Sequence, residues 1–402
     1  MKTMTRIQKI KDFCKTMAVL AVRQILKVLW IFPLKRNRIL FSTFEGKYYS
    51  DSPKYIFLDL YEKYGNRLEY IWCRNDPDEE LAVYENVRTV RFLSVRFVLA
   101  FLTCGVYVTN LGIEPCFPKR KGQLFINTWH GGGAYKGLTQ FDRHRKYFRT
   151  VSRIRAGMTD WFISSCSAFT QYNSKQWMAD ETKFLKSGMP RNDILLREQD
   201  NQRLIGEIRT RLGISDGKKI VLYAPTFRGI PHNPETFSIS LDVEGLVRAL
   251  DSRFGGNFVF LFRCHQTMLG KISAGEGAID VSSYNDMQEL LLVSDVLVTD
   301  YSSSIWDFSL TFRPGFLFMP DLDEYEAFQG FLTPVSEWPF PYARTNEGLV
   351  ELIAQFDEEV NRQKIESHHK NLVSFETGTA VFAINKIIQE RMKFLSNGEE
   401  CL

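Results

Sequence analysis

Apolar positions along the chain recur in two rhythms. Short β-prone runs stand at "RILFST" (38–43), "EYIWC" (69–73), "VYVTN" (106–110), "LFINT" (124–128), "WFISS" (161–165) and "KFLKS" (183–187). Between them lie stretches with helical spacing, such as "SPKYIFLDLYEKYG" (52–65). A polar, charged segment at 197–219 separates this series from a second one. That series reads "KIVLYA" (219–224), "NFVFLF" (257–262), "AIDVS" (278–282), "VLVTD" (296–300) and "GFLFM" (315–319). Strands alternating with helices predict parallel sheets with covered faces. The expected architecture is two α/β domains, at 39–205 and 206–402, facing a cleft.

Before the first strand the rhythm changes. Ile7, Ile10, Cys14, Met17, Ala21, Val28 and Ile31 fall at spacings of three and four, interrupted at Gln24. Lys9, Lys11, Lys15, Arg23 and Lys27 lie mainly on the other side. Residues 1–38 hold ten Lys or Arg against the single acid Asp12, a net +9, and the rest of the chain carries −5. The longest uncharged run there, 16–22, is far shorter than the roughly 20 residues that span a bilayer. No small-residue cleavage site follows it, so no secretory signal peptide is expected. The pattern predicts a basic amphipathic helix over 1–38 lying on an anionic membrane surface. The alternative, a helix packed on the protein body, does not require that concentration of charge. Basicity confined to one end also argues against a nucleic-acid partner.

Composition refines this picture in two respects. A length of 402 residues suits two domains, and 32 phenylalanines predict large aromatic cores. Seven cysteines are scattered without a C-x-x-C pair, so neither a zinc site nor a disulfide framework is expected and a reducing compartment fits.

Ligands of open parallel sheets bind beyond the carboxyl ends of the strands. Those ends are where the reactive side chains collect. "LFINT" is followed by Trp129, His130, Gly131, Gly132 and Gly133, with Lys136 close behind. "KFLKS" is followed by "GMPRND", which contains Arg191, and "KIVLYA" by Thr226 and Arg228. "NFVFLF" is followed by Arg263 and His265, and "VLVT" by Asp300, Ser302 and Ser303, ahead of Asp307. Each cluster alone reads equally well as a helix cap or a satisfied structural group. Together they describe a cleft for an anionic ligand, because Arg and Lys neutralise phosphate and hydroxyls at a helix start bind it.

Other chemistries are excluded by what is missing. A His-Gly-Gly-Gly loop serves lipase-like hydrolases only with a G-x-S-x-G elbow, which this chain lacks. There is no G-x-x-x-x-G-K-[ST] phosphate loop, "GEGAID" (275–280) lacks the third glycine of a dinucleotide fingerprint, and "DLD" (321–323) reads as a charged turn.

"NTWHG" with Lys136, "GMPRND", "YAPTFR" (223–228), "RCH" (263–265) and "SDVLVTDYSSSIWDF" (294–308), followed by Asp321 and Tyr325, resemble the CDP-glycerol glycerophosphotransferase family. Its members are teichoic acid and capsule polyol-phosphate transferases, including CDP-ribitol transferases. "FSTFEGKYYSDSPKYIF" (41–57) resembles the family's first strand and helix. The resemblance implies a GT-B fold of two Rossmann-like domains. It implies transfer of a polyol phosphate from a CDP-polyol donor to a hydroxyl of a lipid-linked or glycan acceptor, releasing CMP. It also implies peripheral attachment at the cytoplasmic face of the bacterial cell membrane.

On that reading His130 is the general base and His265 a second catalytic histidine. Thr226, Arg228, Arg263, Asp300, Ser302, Ser303 and Asp307 bind the donor. Gly131, Gly132, Lys136 and Arg191 bind the acceptor. No metal or cofactor is called for, and a homo-oligomer is left open. The alternatives are a GT-B glycosyltransferase using a nucleotide sugar and a non-catalytic membrane adaptor. The chain departs from the family pattern at Gly132 to Lys136, where a Thr-Pro-Leu-Lys-like stretch is usual, and at Gln266, where proline is usual.

Overall fold

The computed structural model describes residues 6–137, 146–230, 233–235, 240–264 and 277–396. His265, the second catalytic histidine expected from the sequence, and Gln266 lie outside the described residues. The described residues fall into two compact units. Unit 1 draws on Met1–His130, Gln140–Asp193 and Phe375–Leu402, and unit 2 on Gly131–Thr139 and Ile194–Ser374.

Unit 1 is built on seven strands: β1 (Lys35–Ser42), β2 (Glu69–Cys73), β3 (Val87–Val90), β4 (Cys104–Thr109), β5 (Leu124–Asn127), β6 (Trp161–Ile163) and β7 (Phe184–Leu185). All neighbours pair in parallel, in the order β3-β2-β1-β4-β5-β6-β7. Strand alternation sends Ile39 and Phe41 to one face and Leu40 to the other, so each face buries its own core. Phe57, from the helix Asp51–Tyr64, packs edge-on to Phe41, Tyr70, Trp72 and Tyr84.

Unit 2 repeats the plan. Its strands are β8 (Lys219–Ala224), β11 (Phe258–Phe262), β12 (Ala278–Asp280), β13 (Val296–Thr299), β14 (Gly315–Phe318) and β15 (Tyr342–Ala343), with a β9–β10 hairpin at Arg228–Ile230 and Asn233–Glu235. The parallel order is β12-β11-β8-β13-β14-β15. Counted from its own first strand, with the hairpin set aside, each sheet runs 3-2-1-4-5-6, the Rossmann order, and unit 1 adds β7 as a seventh strand. The winding reverses between β1 and β4 in unit 1 and between β8 and β13 in unit 2. In open α/β sheets ligands bind at such switch points.

The expected boundary between 39–205 and 206–402 is drawn differently by the structure. The chain leaves unit 1 after Asp193, and the last segment returns to it. The carboxylate of Asp193 accepts the backbone N–H groups of Ala380 (3.1 Å) and Val381 (2.8 Å). Ile384 and Ile388 then enter the unit 1 core. Such a return is set by tertiary packing and leaves no mark in local patterning.

The helix Arg6–Leu26 lies against the helix Lys146–Met158. Its inward side carries the buried Asp12 and the half-buried Arg23, whose guanidinium donates to the carbonyls of Pro115 (3.1 Å) and Phe117 (2.6 Å). Its apolar side points outward: Phe13 is 64%, Ile25 66% and, just beyond the helix, Ile31 78% exposed. This inverts the usual packing of an amphipathic helix on a globular core. Among the described residues, no helix is long and apolar enough to cross a membrane.

Candidate active site

At the switch point of unit 1, Asn110 directly follows β4, and this residue ties the loops together. Its backbone N–H donates to the Ser42 carbonyl at the end of β1 (3.4 Å). Its side-chain oxygen accepts the Phe44 N–H (2.9 Å), and its amide donates to Asp51 (2.8 Å). Asp51 is buried and paired with the buried guanidinium of Arg191 at 3.3 Å. The Asn110 carbonyl also meets Nδ1 of His130 at 3.0 Å. A carbonyl oxygen can only accept, so Nδ1 carries the proton and Nε2 is the basic nitrogen. His130 also sits between the rings of Trp129 (4.3 Å) and Phe44 (5.7 Å).

Strain gathers here. Phe44 (φ 46°), Glu45 (φ 57°), Asp51 (φ 61°) and Trp129 (φ 56°) all adopt the left-handed region without being glycine. Each such residue costs on the order of 1–3 kcal/mol, and such residues concentrate at functional sites.

At the switch point of unit 2, Arg228 is clamped by two carboxylates. Its Nε and Nη2 fork onto Asp321 at 2.5 and 3.0 Å. Its Nη1 donates to Asp300 (2.9 Å) and to the Thr226 carbonyl (2.6 Å). The other oxygen of Asp300 accepts the Thr226 N–H (2.8 Å), joining the ends of β8 and β13. Tyr301 stacks on Tyr325 at 3.7 Å and donates its hydroxyl to Asp321 at 3.0 Å. The guanidinium of Arg228 lies 5.1 and 5.3 Å from those two ring centres. Burial opposes the Asp321 charge, but Arg228 and Tyr301 outweigh it and hold the carboxyl below its usual range.

The glycines after His130 belong to unit 2. A Cβ on Gly132 would stand 2.2 Å from the buried indole of Trp306, and Gly133 has φ +68°. The Tyr135 carbonyl accepts the Leu332 N–H (2.8 Å), and Lys136 forms an antiparallel bridge with Phe331. Lys136 thus sits beside Asp300 and Arg228. Burial pushes its ammonium down to about 8, with Asp300 opposing and Arg228 reinforcing the shift. It forms no ion pair within 4 Å among the described residues. The sequence grouped Gly131, Gly132 and Lys136 with the acceptor in the N-terminal domain. The structure instead builds them into unit 2, because Trp306 and the 330–333 strip hold this loop.

Two hydroxyls here have no hydrogen-bond partner among the described residues: Thr226 Oγ1 and Ser304 Oγ, both buried. A buried polar atom without a partner is uncommon and asks for a ligand. Ser302 and Ser303 are partly exposed beside them, and Ser303 makes no capping bond with its side chain. Arg263 donates to the Tyr284 carbonyl (2.7 Å), and the buried Asp307 accepts from Gln288 (3.1 Å).

The model of the CDP-glycerol:poly(glycerophosphate) glycerophosphotransferase family matches residues 24–390. The chain belongs to this family. It is 31% identical over 382 residues to the teichoic acid poly(glycerol phosphate) polymerase of Staphylococcus epidermidis, covering 90% of this chain and 51% of that protein. The chain thus spans about half the length of that polymerase. It is 30% identical over 386 residues to the teichoic acid glycerol-phosphate transferase of Staphylococcus aureus, covering 92% of this chain and 97% of that one. The solved wall teichoic acid polymerase TagF superposes with a TM-score of 0.81 at 28% identity, over 99% of this chain and 100% of that chain. A histidine-to-asparagine variant of TagF has been solved after a CDPG soak. The α/β fold of this family member, two parallel sheets of Rossmann order preceded by a helix, is the GT-B class expected from its sequence.

Sequence reasoning missed Asn110, Asp51 and the histidine pair 368–369. Asn110 closes "VYVTN", a strand end of the same kind as those that precede His130 and Asp300. The buried His368 accepts the Tyr135 hydroxyl at Nε2 (2.8 Å) and donates Nδ1–H to the Glu337 carbonyl (2.8 Å). It thereby braces the loop carrying Lys136. Burial pushes it down to about 4, against an ordinary 6.5. The unfolded chain therefore takes up this proton first, and stability falls as pH drops from 6.5 towards 4. At about pH 5 the loss from His368 is about 2 kcal/mol. Denaturant titrations at about pH 7 and 5 will show that slope in the native chain, and His368→Gln will flatten it by that amount.

Proposed function

We propose that this transferase moves a polyol phosphate, glycerol phosphate in the first instance, from a CDP-polyol to a hydroxyl of a membrane-associated teichoic-acid-like acceptor. The observation that carries the reading is the pair of unpartnered buried hydroxyls at the unit 2 switch point, set beside Lys136 and the clamped Arg228. Phosphoryl oxygens are the acceptors such hydroxyls lack. The family relationship and the glycerol-phosphate names of its relatives supply the rest.

His130 Nε2 takes the acceptor hydroxyl proton as that oxygen bonds to the phosphorus carrying the polyol. The bond from this phosphorus to the bridging oxygen breaks, and CMP leaves with the electron pair. Arg228 already carries two carboxylates, so its charge is largely spent within the protein. Its task is to hold Thr226, Asp300 and Tyr301 in place. Lys136 supplies the cation that faces the growing phosphate charge, with Ser302, Ser303, Ser304 and Thr226 donating hydrogen bonds. Arg191, expected to contact the acceptor, instead fixes Asp51 and through it Asn110 and His130. Arg263, Asp307 and His265 keep their expected donor-side and catalytic roles as part of this proposal.

The proposal includes peripheral attachment at the cytoplasmic membrane face through the helix Arg6–Leu26. Its support is the outward apolar row, with Lys9, Lys11 and Lys15 exposed alongside it.

His130→Asn will lower CMP release by about 10²–10⁴-fold while CDP-glycerol affinity, measured by calorimetry, changes little. Retained turnover in a folded His130→Asn protein would overturn the base assignment. Turnover by the native chain will decline as pH rises through about 8, where Lys136 loses its proton. Lys136→Arg will remove that alkaline limb, and an unchanged pH–rate profile would show that Lys136 does not serve the reaction.

A further inference from the structure

One basic surface of unit 1 takes no part in this chemistry. The helices Arg6–Leu26 and Lys146–Met158 and the loop at 119–121 border an open hollow of about 400 Å³. Arg23, Lys119, Arg120, Lys121 and Arg153 line it, and among the described residues no acid does. Lys119 is paired with Asp160. Arg23 and Arg120 have no carboxylate within 4 Å among the described residues. Their hydrogen-bond partners are neutral: the Pro115 and Phe117 carbonyls and Met158 Sδ for Arg23, and, at its two shortest contacts, the Trp30 (3.2 Å) and Phe32 (2.6 Å) carbonyls for Arg120. Carbonyl dipoles orient a guanidinium without cancelling its charge, so the hollow keeps a strong positive potential. Burial pushes the Arg23 guanidinium down from its ordinary value, as expected for a cation that has lost water without gaining a counter-ion.

The hollow is joined to the outward apolar row. The two carbonyls held by Arg120 flank Ile31, and from there Val28, Ile25, Met17, Phe13 and Ile10 continue along the helix, all exposed. A contiguous apolar row of this length calls for a cover. A free anion would satisfy the hollow and leave the row in water. A lipid bilayer meets both needs, because phosphate sits where headgroups end and acyl chains begin.

We propose that this hollow seats the phosphate of an anionic phospholipid head group while the apolar row lies among the neighbouring acyl chains. The proposal rests on the membrane attachment argued above and gives it a specific lipid site.

The test uses the full chain and vesicles of phosphatidylcholine alone or with phosphatidylglycerol. Lys121→Ala and Arg153→Ala change exposed side chains, and an unchanged thermal midpoint verifies folding. Each nearby basic residue contributes about 5-fold to binding an anionic surface, so the double variant will bind phosphatidylglycerol vesicles about 30-fold more weakly. The charge-matched double variant Arg203→Ala/Arg248→Ala, on exposed helices elsewhere, will bind within about 2-fold of the native chain. Monomeric short-chain phosphatidylglycerol will compete with the vesicles, and inorganic phosphate at equal concentration will compete far less. Equal losses in both double variants would reduce the effect to net charge and overturn the proposal. So would native binding by Lys121→Ala/Arg153→Ala, or competition by phosphate alone. Failure of the native chain to bind either vesicle would overturn the membrane attachment itself.

Discussion

Unit 2 is organised around one guanidinium held between two carboxylates. Arg228 bridges Asp300, at the end of β13, and Asp321, beyond β14, and reaches back to the Thr226 carbonyl at the end of β8. Three strand-end loops are thereby fixed by a single side chain. Buried ion pairs are costly to assemble, and removing one partner costs about 3–5 kcal/mol because the other charge is left stranded. The price is met where geometry matters most, at the point where the sheet reverses its winding. Because Arg228 is neutralised in place, the mechanism proposed above draws its cation for phosphate from Lys136. Lys136 sits beside the clamp on a loop that only glycine could thread past Trp306.

Unit 1 uses the same topology with a different device. The buried pair of Asp51 and Arg191 orients Asn110, whose carbonyl sets the tautomer of His130. The left-handed residues around this point, Phe44, Glu45, Asp51 and Trp129, hold strain that the aromatic core of the sheet can sustain. On the proposed mechanism unit 1 supplies the proton acceptor, and unit 2 supplies the hydroxyls and the cation.

Much of the fold was legible because parallel strands buried on both faces leave unbroken apolar runs. Strands such as Leu124–Asn127 and Val296–Thr299 stand out, and the chemistry of their ends could be read directly. Val87–Val90 and Tyr342–Ala343 escaped notice, since sheet-edge strands this short and partly exposed lack such a run. Side-chain roles were less legible than side-chain identities. Arg191 and Arg228 read as phosphate ligands, yet both are consumed by aspartates distant in sequence. The glycines at 131–133 read as a substrate approach, but Gly132 answers to an indole 174 residues away. The outward apolar row of the first helix shows in its spacing, whereas its direction is set by Asp12 and Arg23 turning inward.

The central claim is that this chain splits the phosphoanhydride of a CDP-polyol on the polyol side and hands that phosphate to a membrane acceptor. The most direct measurement supplies the full chain with CDP-glycerol labelled in the glycerol and in the cytidine, together with a lipid-linked teichoic acid primer. The account predicts CMP release matched one-to-one by glycerol phosphate incorporated into lipid. Release of CDP, or no CMP above background with any CDP-polyol offered, would contradict it.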